Sequence, residues 1–203
     1  MKTTAQIILA SASPRRRELL SQVAITADVQ AVDIDESQKQ GEPVLDYVVR
    51  LAKEKAQRGF EVIENRKKLP VLGSDTIVEI EGEVLGKPEN RQHAKEMLGR
   101  LSGKKHQVHT AVAIVMGNKT FFKVSSTVVQ FKTLRAQEVE LYVASGEADD
   151  KAGAYAIQGR AAQFVKNING SYSGVMGLPL FETVELLERC GIRPLAEVAD
   201  SRL

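Results

Sequence analysis

Asp75 stands among Gly73, Ser74 and Thr76 at the end of the apolar run Val71-Leu72. A carboxylate flanked by small polar residues at the end or kink of a strand suits a cleft better than a core. There it can hold a divalent cation or orient and deprotonate a water. The alternative is a hairpin acid satisfied by neighbouring hydroxyls. A second concentration of chemistry is Ser13-Pro14-Arg15-Arg16-Arg17, directly after Ile7-Ile8-Leu9-Ala10. Ser13 and Pro14 predict a helix start, yet each cation in a first helical turn costs roughly 0.3–1 kcal/mol against the helix dipole. An anion docked on the free N–H groups removes the conflict, which points to phosphate. A solvated basic turn is the competing reading.

Three further residues fit the same chemistry. Lys55 lies on the apolar stripe of a predicted helix (Val44, Val48, Leu51, Ala52, Ala56), where a lysine either snorkels or aims its ammonium at a phosphate. Glu36 closes the acidic run Asp33-Ile34-Asp35-Glu36 and either completes a metal site with Asp75 or stays in a solvated loop. Lys87, in Gly86-Lys87-Pro88, follows a predicted hairpin and is expected at the same end of the sheet as Asp75. Gln158 precedes Gly159; its amide offers donor and acceptor together, as reading a base edge requires, unless it is a bystander in a turn.

Other chemistries are excluded. His106 and His109 are three apart on a predicted strand and face opposite sides, so they do not form a zinc site; with His93 they are read as ordinary surface residues. There is no G-x-x-x-x-G-K-[ST] loop, no G-x-G-x-x-G fingerprint and no G-x-S-x-G elbow. The single cysteine, Cys190, is read as buried on the last helix. It permits no intrachain disulfide and fits a reducing, cytoplasmic compartment.

Positioning these side chains falls to alternating strands and helices, an α/β pattern. Strands are predicted near 6–10, 27–32, 71–78, 84–85, 107–116, 120–132 and 164–165. Helices are predicted near 14–23, from 43 through 56, and at 91–101, 136–145 and 180–190. A turn at Glu81-Gly82 makes the first hairpin, and Asn169-Gly170-Ser171 is read as a turn. The 203 residues suffice for one large domain or two small lobes, and no linker is visible. A net charge of +2 and few aromatics disfavour nucleic acid as a partner. No stretch approaches the ~20 apolar residues of a membrane span, and the N-terminal apolar run is too short for a signal segment.

The segments Leu9-Ala10-Ser11-Ala12-Ser13-Pro14-Arg15-Arg16, Arg50-Leu51-Ala52-Lys53-Glu54-Lys55-Ala56, Gly73-Ser74-Asp75-Thr76, Gly86-Lys87-Pro88 and Leu101-Ser102-Gly103 together resemble the Maf family of nucleoside triphosphate pyrophosphatases. The match continues through Asp150-Lys151-Ala152-Gly153-Ala154-Tyr155 and Asn169-Gly170-Ser171-Tyr172 to Gly177-Leu178-Pro179. The resemblance implies one domain of inosine triphosphatase-like α/β fold, a long curved mixed sheet with two lobes around a cleft. It implies a divalent cation, Mg2+ or Mn2+, and cleavage between the α- and β-phosphates. Asp75 matches the family's proton acceptor and a metal ligand, with Glu36 near the metal. Arg15, Lys55 and Lys87, with Ser11 and Ser13, match the substrate side. Arg15, Thr76 and Gln158, with Gly153-Ala154-Tyr155, resemble the branch acting on dTTP and UTP. The 7-methyl-GTP branch has tryptophan, glutamine and glutamate at those three positions. The implied partner is the nucleotide, with no membrane; a homodimer is compatible with the chain. The rival reading is a non-catalytic nucleotide-binding regulator linked to septum formation.

Overall fold

The computed structural model describes residues 5–63 and 69–194. The elements run β1 (Ile7–Leu9), α1 (Pro14–Gln22), β2 (Ala27–Val29), α2 (Val44–Val62), β3 (Val71–Ile80), β4 (Glu83–Leu85), α3 (Arg91–Leu101), β5 (Lys105–Met116), β6 (Lys119–Phe131), α4 (Ala136–Ala144), β7 (Val165–Asn169), α5 (Tyr172–Met176) and α6 (Leu180–Arg189). Two short 3-10 turns, Ala152–Ala154 and Arg160–Phe164, precede β7. The strands form a seven-stranded mixed sheet in the order β2-β1-β3-β5-β6-β7, with β4 paired to β3. β1 is parallel to both β2 and β3, while β3–β4 and β6–β7 are antiparallel. The fold is mixed α/β.

Contacts divide the chain into two compact units. One comprises Met1–Asp75, Thr110–Val124 and Gly177–Leu203; the other comprises Thr76–His109 and Ser125–Met176. In the first unit, α2 buries Val48, Leu51, Ala52, Lys55, Ala56 and Gly59, the stripe expected from an i, i+3/i+4 pattern. Its backbone rests almost directly on β3. A Cβ at Gly73 would lie 2.4 Å from the Ala52 carbonyl oxygen and 2.5 Å from the Ala56 nitrogen. Gly59 repeats the close approach from the helix side, with an added Cβ 2.8 Å from Ala10 Cβ and 2.9 Å from Val71 Cγ1. Only glycine lets helix and strand meet at this distance.

The second unit is built on a core that includes Val78, Leu98, Val129 and Phe131. α3 enters it with Asn90 accepting the His93 N–H at 2.9 Å, a side-chain N-cap. Edge-to-face rings link Phe131 to His106, Tyr155 and Phe164.

His106 and His109 are buried, not surface residues. β5 lies between β3 and β6 in the sheet order, and a central strand of an α/β sheet is covered on both faces. His106 Nε2 hydrogen-bonds the Tyr155 hydroxyl at 2.8 Å. His109 bridges Ser126 Oγ at 2.8 Å and Glu79 at 3.0 Å. Cys190 is only half-buried, because α6 ends at Arg189 and leaves it at the C-cap.

Candidate active site

The parallel register of β1 with β3 pairs Leu9 with Leu72. Beyond these partners β1 ends and the chain passes through Ser11, while β3 continues in the same direction through Ser74 and Asp75. α1 follows at once, with Pro14 at its first position. Ser13 holds the N-cap place without a side-chain capping bond. Ser11 Oγ instead accepts from the Ser13 N–H at 3.2 Å and from Arg16 Nη1 at 3.0 Å.

The three arginines of α1 separate clearly. Arg17 is exposed and Arg15 half-buried. Arg16 turns inward, and its Nε donates to the Gly177 carbonyl at 2.8 Å. Ser74 Oγ donates to the same carbonyl at 3.0 Å, so one backbone oxygen ties α1 to β3. Burial is the main influence on the Arg16 guanidinium and lowers its pKa; the Asp75 carboxylate opposes this, and Arg15 adds to it.

At the centre is Lys55. Its Nζ lies 2.6 Å from Asp75 Oδ1 and 2.6 Å from Glu36 Oε1. Asp75 and Lys55 are buried, whereas the Glu36 side chain is 51% exposed. The contact between α2 and β3 at Gly73 brings Lys55 to Asp75, two residues further along the strand. Glu36 arrives by a separate device. The Tyr47 hydroxyl donates to the Glu36 carbonyl at 2.6 Å. Arg50 grips Glu42 with Nε at 2.6 Å and Nη2 at 2.9 Å, and Nη2 also donates to the Ser37 carbonyl at 2.9 Å. This forked pair holds the Glu42 carboxyl down to about 2 and pins the loop carrying Glu36 to α2.

Two carboxylates converging on one cationic point are hard oxygen donors, and Mg2+ and Mn2+ accept such ligands. Among the described residues no group of three or more His, Cys, Asp or Glu side chains is arranged to hold a metal. A donor set of two carboxylates, completed by phosphate oxygens and water, is how Mg2+ is ordinarily held beside a nucleotide. The residues fit that role.

Residues 6–190 match the family described as Maf-like protein. The chain belongs to the Maf family. It is 51% identical over 191 residues to a dTTP/UTP pyrophosphatase of Colwellia psychrerythraea, covering 93% of this chain and 90% of that one. It is 53% identical to one of Aliivibrio fischeri, covering 91% and 98%. Among solved structures it is similar to the Staphylococcus aureus Ham1 protein, with 13% identity, a TM-score of 0.41, and 62% and 71% of the two chains covered.

Of the positions that the Maf motifs single out, Ser11, Ser13, Arg15, Glu36, Lys55 and Asp75 belong to the first unit, and Thr76, Lys87 and Gln158 to the second. The structure joins Asp75, Lys55 and Glu36 directly. Thr76 is half-buried on β3, while Lys87 and Gln158 are exposed. Sequence reading missed the supports. Tyr47 and Glu42 carried no signal of their own, and Arg50 was visible only as part of a Maf motif.

Proposed function

We propose that this chain hydrolyses dTTP and UTP to the nucleoside monophosphate and pyrophosphate. The observation that carries the reading is its identity of about half, over nine-tenths of the chain, with proteins named dTTP/UTP pyrophosphatase. The Asp75–Lys55–Glu36 cluster gives that reading a chemistry. Water attacks the α-phosphorus, the bond to the α–β bridging oxygen breaks, and pyrophosphate departs. Asp75 takes the water proton. With Lys55 on Oδ1, Oδ2 is the oxygen that receives it. Lys55, Arg15 and Lys87 bind the triphosphate, with Ser11 and Ser13 donating to its oxygens, so much of the acceleration comes from positioning and charge. Asp75 and Glu36 would hold a Mg2+ or Mn2+ ion, which would supply charge neutralisation on the phosphates. Thr76 and Gln158 select the pyrimidine, Gln158 through its amide. A cytoplasmic nucleotide pool is the setting in which such an activity clears excess or modified pyrimidine triphosphates.

The test is Asp75→Asn with product identification. Wild type with Mg2+ should give thymidine monophosphate and pyrophosphate in equal amounts. The variant should stay folded by circular dichroism and lose at least ~10³-fold in kcat, on the scale of removing a general base together with a metal ligand. A rate within tenfold of wild type removes Asp75 from the proton-transfer role. Release of orthophosphate by wild type replaces the reading with γ-phosphate removal, and no turnover of any triphosphate favours a binding protein.

A further inference from the structure

Gln158 sits in a tight turn with an unusual degree of support. Gly159 N–H closes the turn onto the Ala156 carbonyl at 3.0 Å. Ile157 is buried in the core while Gln158 points outward, exposed. Two side chains from α4 and the loop after it hold the turn at its ends. Ahead of it, the Ala156 N–H donates to the Tyr142 hydroxyl oxygen at 3.1 Å. Behind it, the Arg160 N–H donates to both carboxylate oxygens of Glu147, at 2.9 and 3.1 Å. Burial is the main cause that raises the Tyr142 pKa, and the charge of Glu147 adds to it.

Gly159 belongs to the same device. A Cβ there would lie 2.3 Å from Glu147 Oε1 and 2.5 Å from its Cδ. The carboxylate thus occupies the volume a side chain would take, and only glycine lets it cap the turn.

We propose that Glu147, through Gly159, is a specificity-positioning residue that fixes the direction of the Gln158 amide. This rests on the reading of Gln158 as the base selector. A glutamine has three side-chain torsions, and an amide selects a base only when donor and acceptor are both aligned. On a loose turn the ordering would have to occur at binding and would oppose it. A charge-assisted cap on the backbone removes the turn's share of that disorder beforehand. The Glu147 carboxylate is committed to the Arg160 N–H, so its effect reaches the nucleotide through Gln158.

The experiment measures kcat/KM for dTTP, UTP, dATP and GTP in Gln158→Ala, Glu147→Ala, Glu147→Gln, Gly159→Ala and the Glu147→Ala/Gly159→Ala double variant. Glu147→Ala should lower the dTTP-to-purine ratio about tenfold, chiefly through the KM for dTTP. Gly159→Ala, which pushes the carboxylate off the turn, should do the same, and the double variant should be no worse than either single change. Glu147→Gln keeps one acceptor and should restore part of the ratio. A parallel fall for pyrimidine and purine triphosphates in Glu147→Ala makes the residue merely structural and overturns the proposal, as do additive effects in the double variant. An unchanged base preference in Gln158→Ala defeats both readings. Loss of preference in Gln158→Ala, with preference retained in Glu147→Ala and Gly159→Ala, defeats this proposal alone.

Discussion

Lys55 satisfies two carboxylates with one ammonium, and each of the three charges depends on the other two. Asp75 is buried, so removing its counter-charge leaves a carboxylate with little water to solvate it. Lys55→Met should therefore destabilise the protein by about 2–4 kcal/mol, as breaking one side of a buried ion pair does. It should also lower kcat/KM by roughly 100-fold or more, since a phosphate partner is lost with it. Urea unfolding and steady-state kinetics on one preparation check both; a stable, fully active variant would remove Lys55 from the site. At this scale the sequence is informative only where a residue breaks a pattern. Lys55 was legible as a lysine on an apolar stripe, and Asp75 as an acid interrupting an apolar strand, although β3 does not end there but runs on to Ile80. Their pairing was not legible, because it joins residues twenty positions apart. Nor was the inward turn of Arg16: three consecutive identical side chains give no sign of which one meets the Gly177 carbonyl.

The contact of α2 with β3 is the element-scale condition for that cluster. Gly73→Ala places a methyl group against backbone atoms of Ala52 and Ala56, and backbone cannot rotate aside as a side chain does. The helix must lift from the strand, at about 2–4 kcal/mol, and lifting it draws Lys55 from Asp75, so activity should fall further than stability alone explains. Gly99 is the control. An added Cβ there meets nothing within 4 Å, and in the interior of α3 alanine should stabilise by about 0.5–1 kcal/mol. Thermal melts of the two variants should move in opposite directions. Elements with strong periodicity were legible; α3 runs Arg91–Leu101 as its pattern predicts. The five-residue α5 was missed, being too short for an apolar stripe. Its one local signal is Ser171, whose Oγ accepts the Gly174 N–H at 3.0 Å. The last strand was placed early because Phe164 closes a 3-10 turn before β7 begins at Val165.

Over the whole molecule, His106 couples stability to pH. Burial lowers its pKa from the usual 6.5 to about 4, and its Nδ1 is buried without a hydrogen-bond partner. Above pH 6.5 the ring is neutral folded or unfolded and has no effect on the pH dependence. As pH falls from 6.5 towards 4 the unfolded chain takes up the proton first, so stability drops, by about 2 kcal/mol at pH 5. His106→Asn should shrink the difference in unfolding free energy between pH 7 and pH 5 by that amount; an unchanged difference would mean the ring is not held neutral. The two compact units, by contrast, could not be delimited from sequence. Three of their four boundaries fall at Asp75/Thr76, His109/Thr110 and Val124/Ser125, inside β3, β5 and β6, where composition follows the strand and carries no linker signature; the fourth, Met176/Gly177, falls at the end of α5. The ammonium between Asp75 and Glu36 has one more consequence, for covalent chemistry. Among the described residues Lys55 is the only lysine classed as buried, and its nitrogen is already engaged by two carboxylates. Acylating and reductive-methylating reagents need a free, accessible amine, so they will reach the other described lysines first, and the chain can be labelled or acetylated at its surface while Lys55 stays untouched.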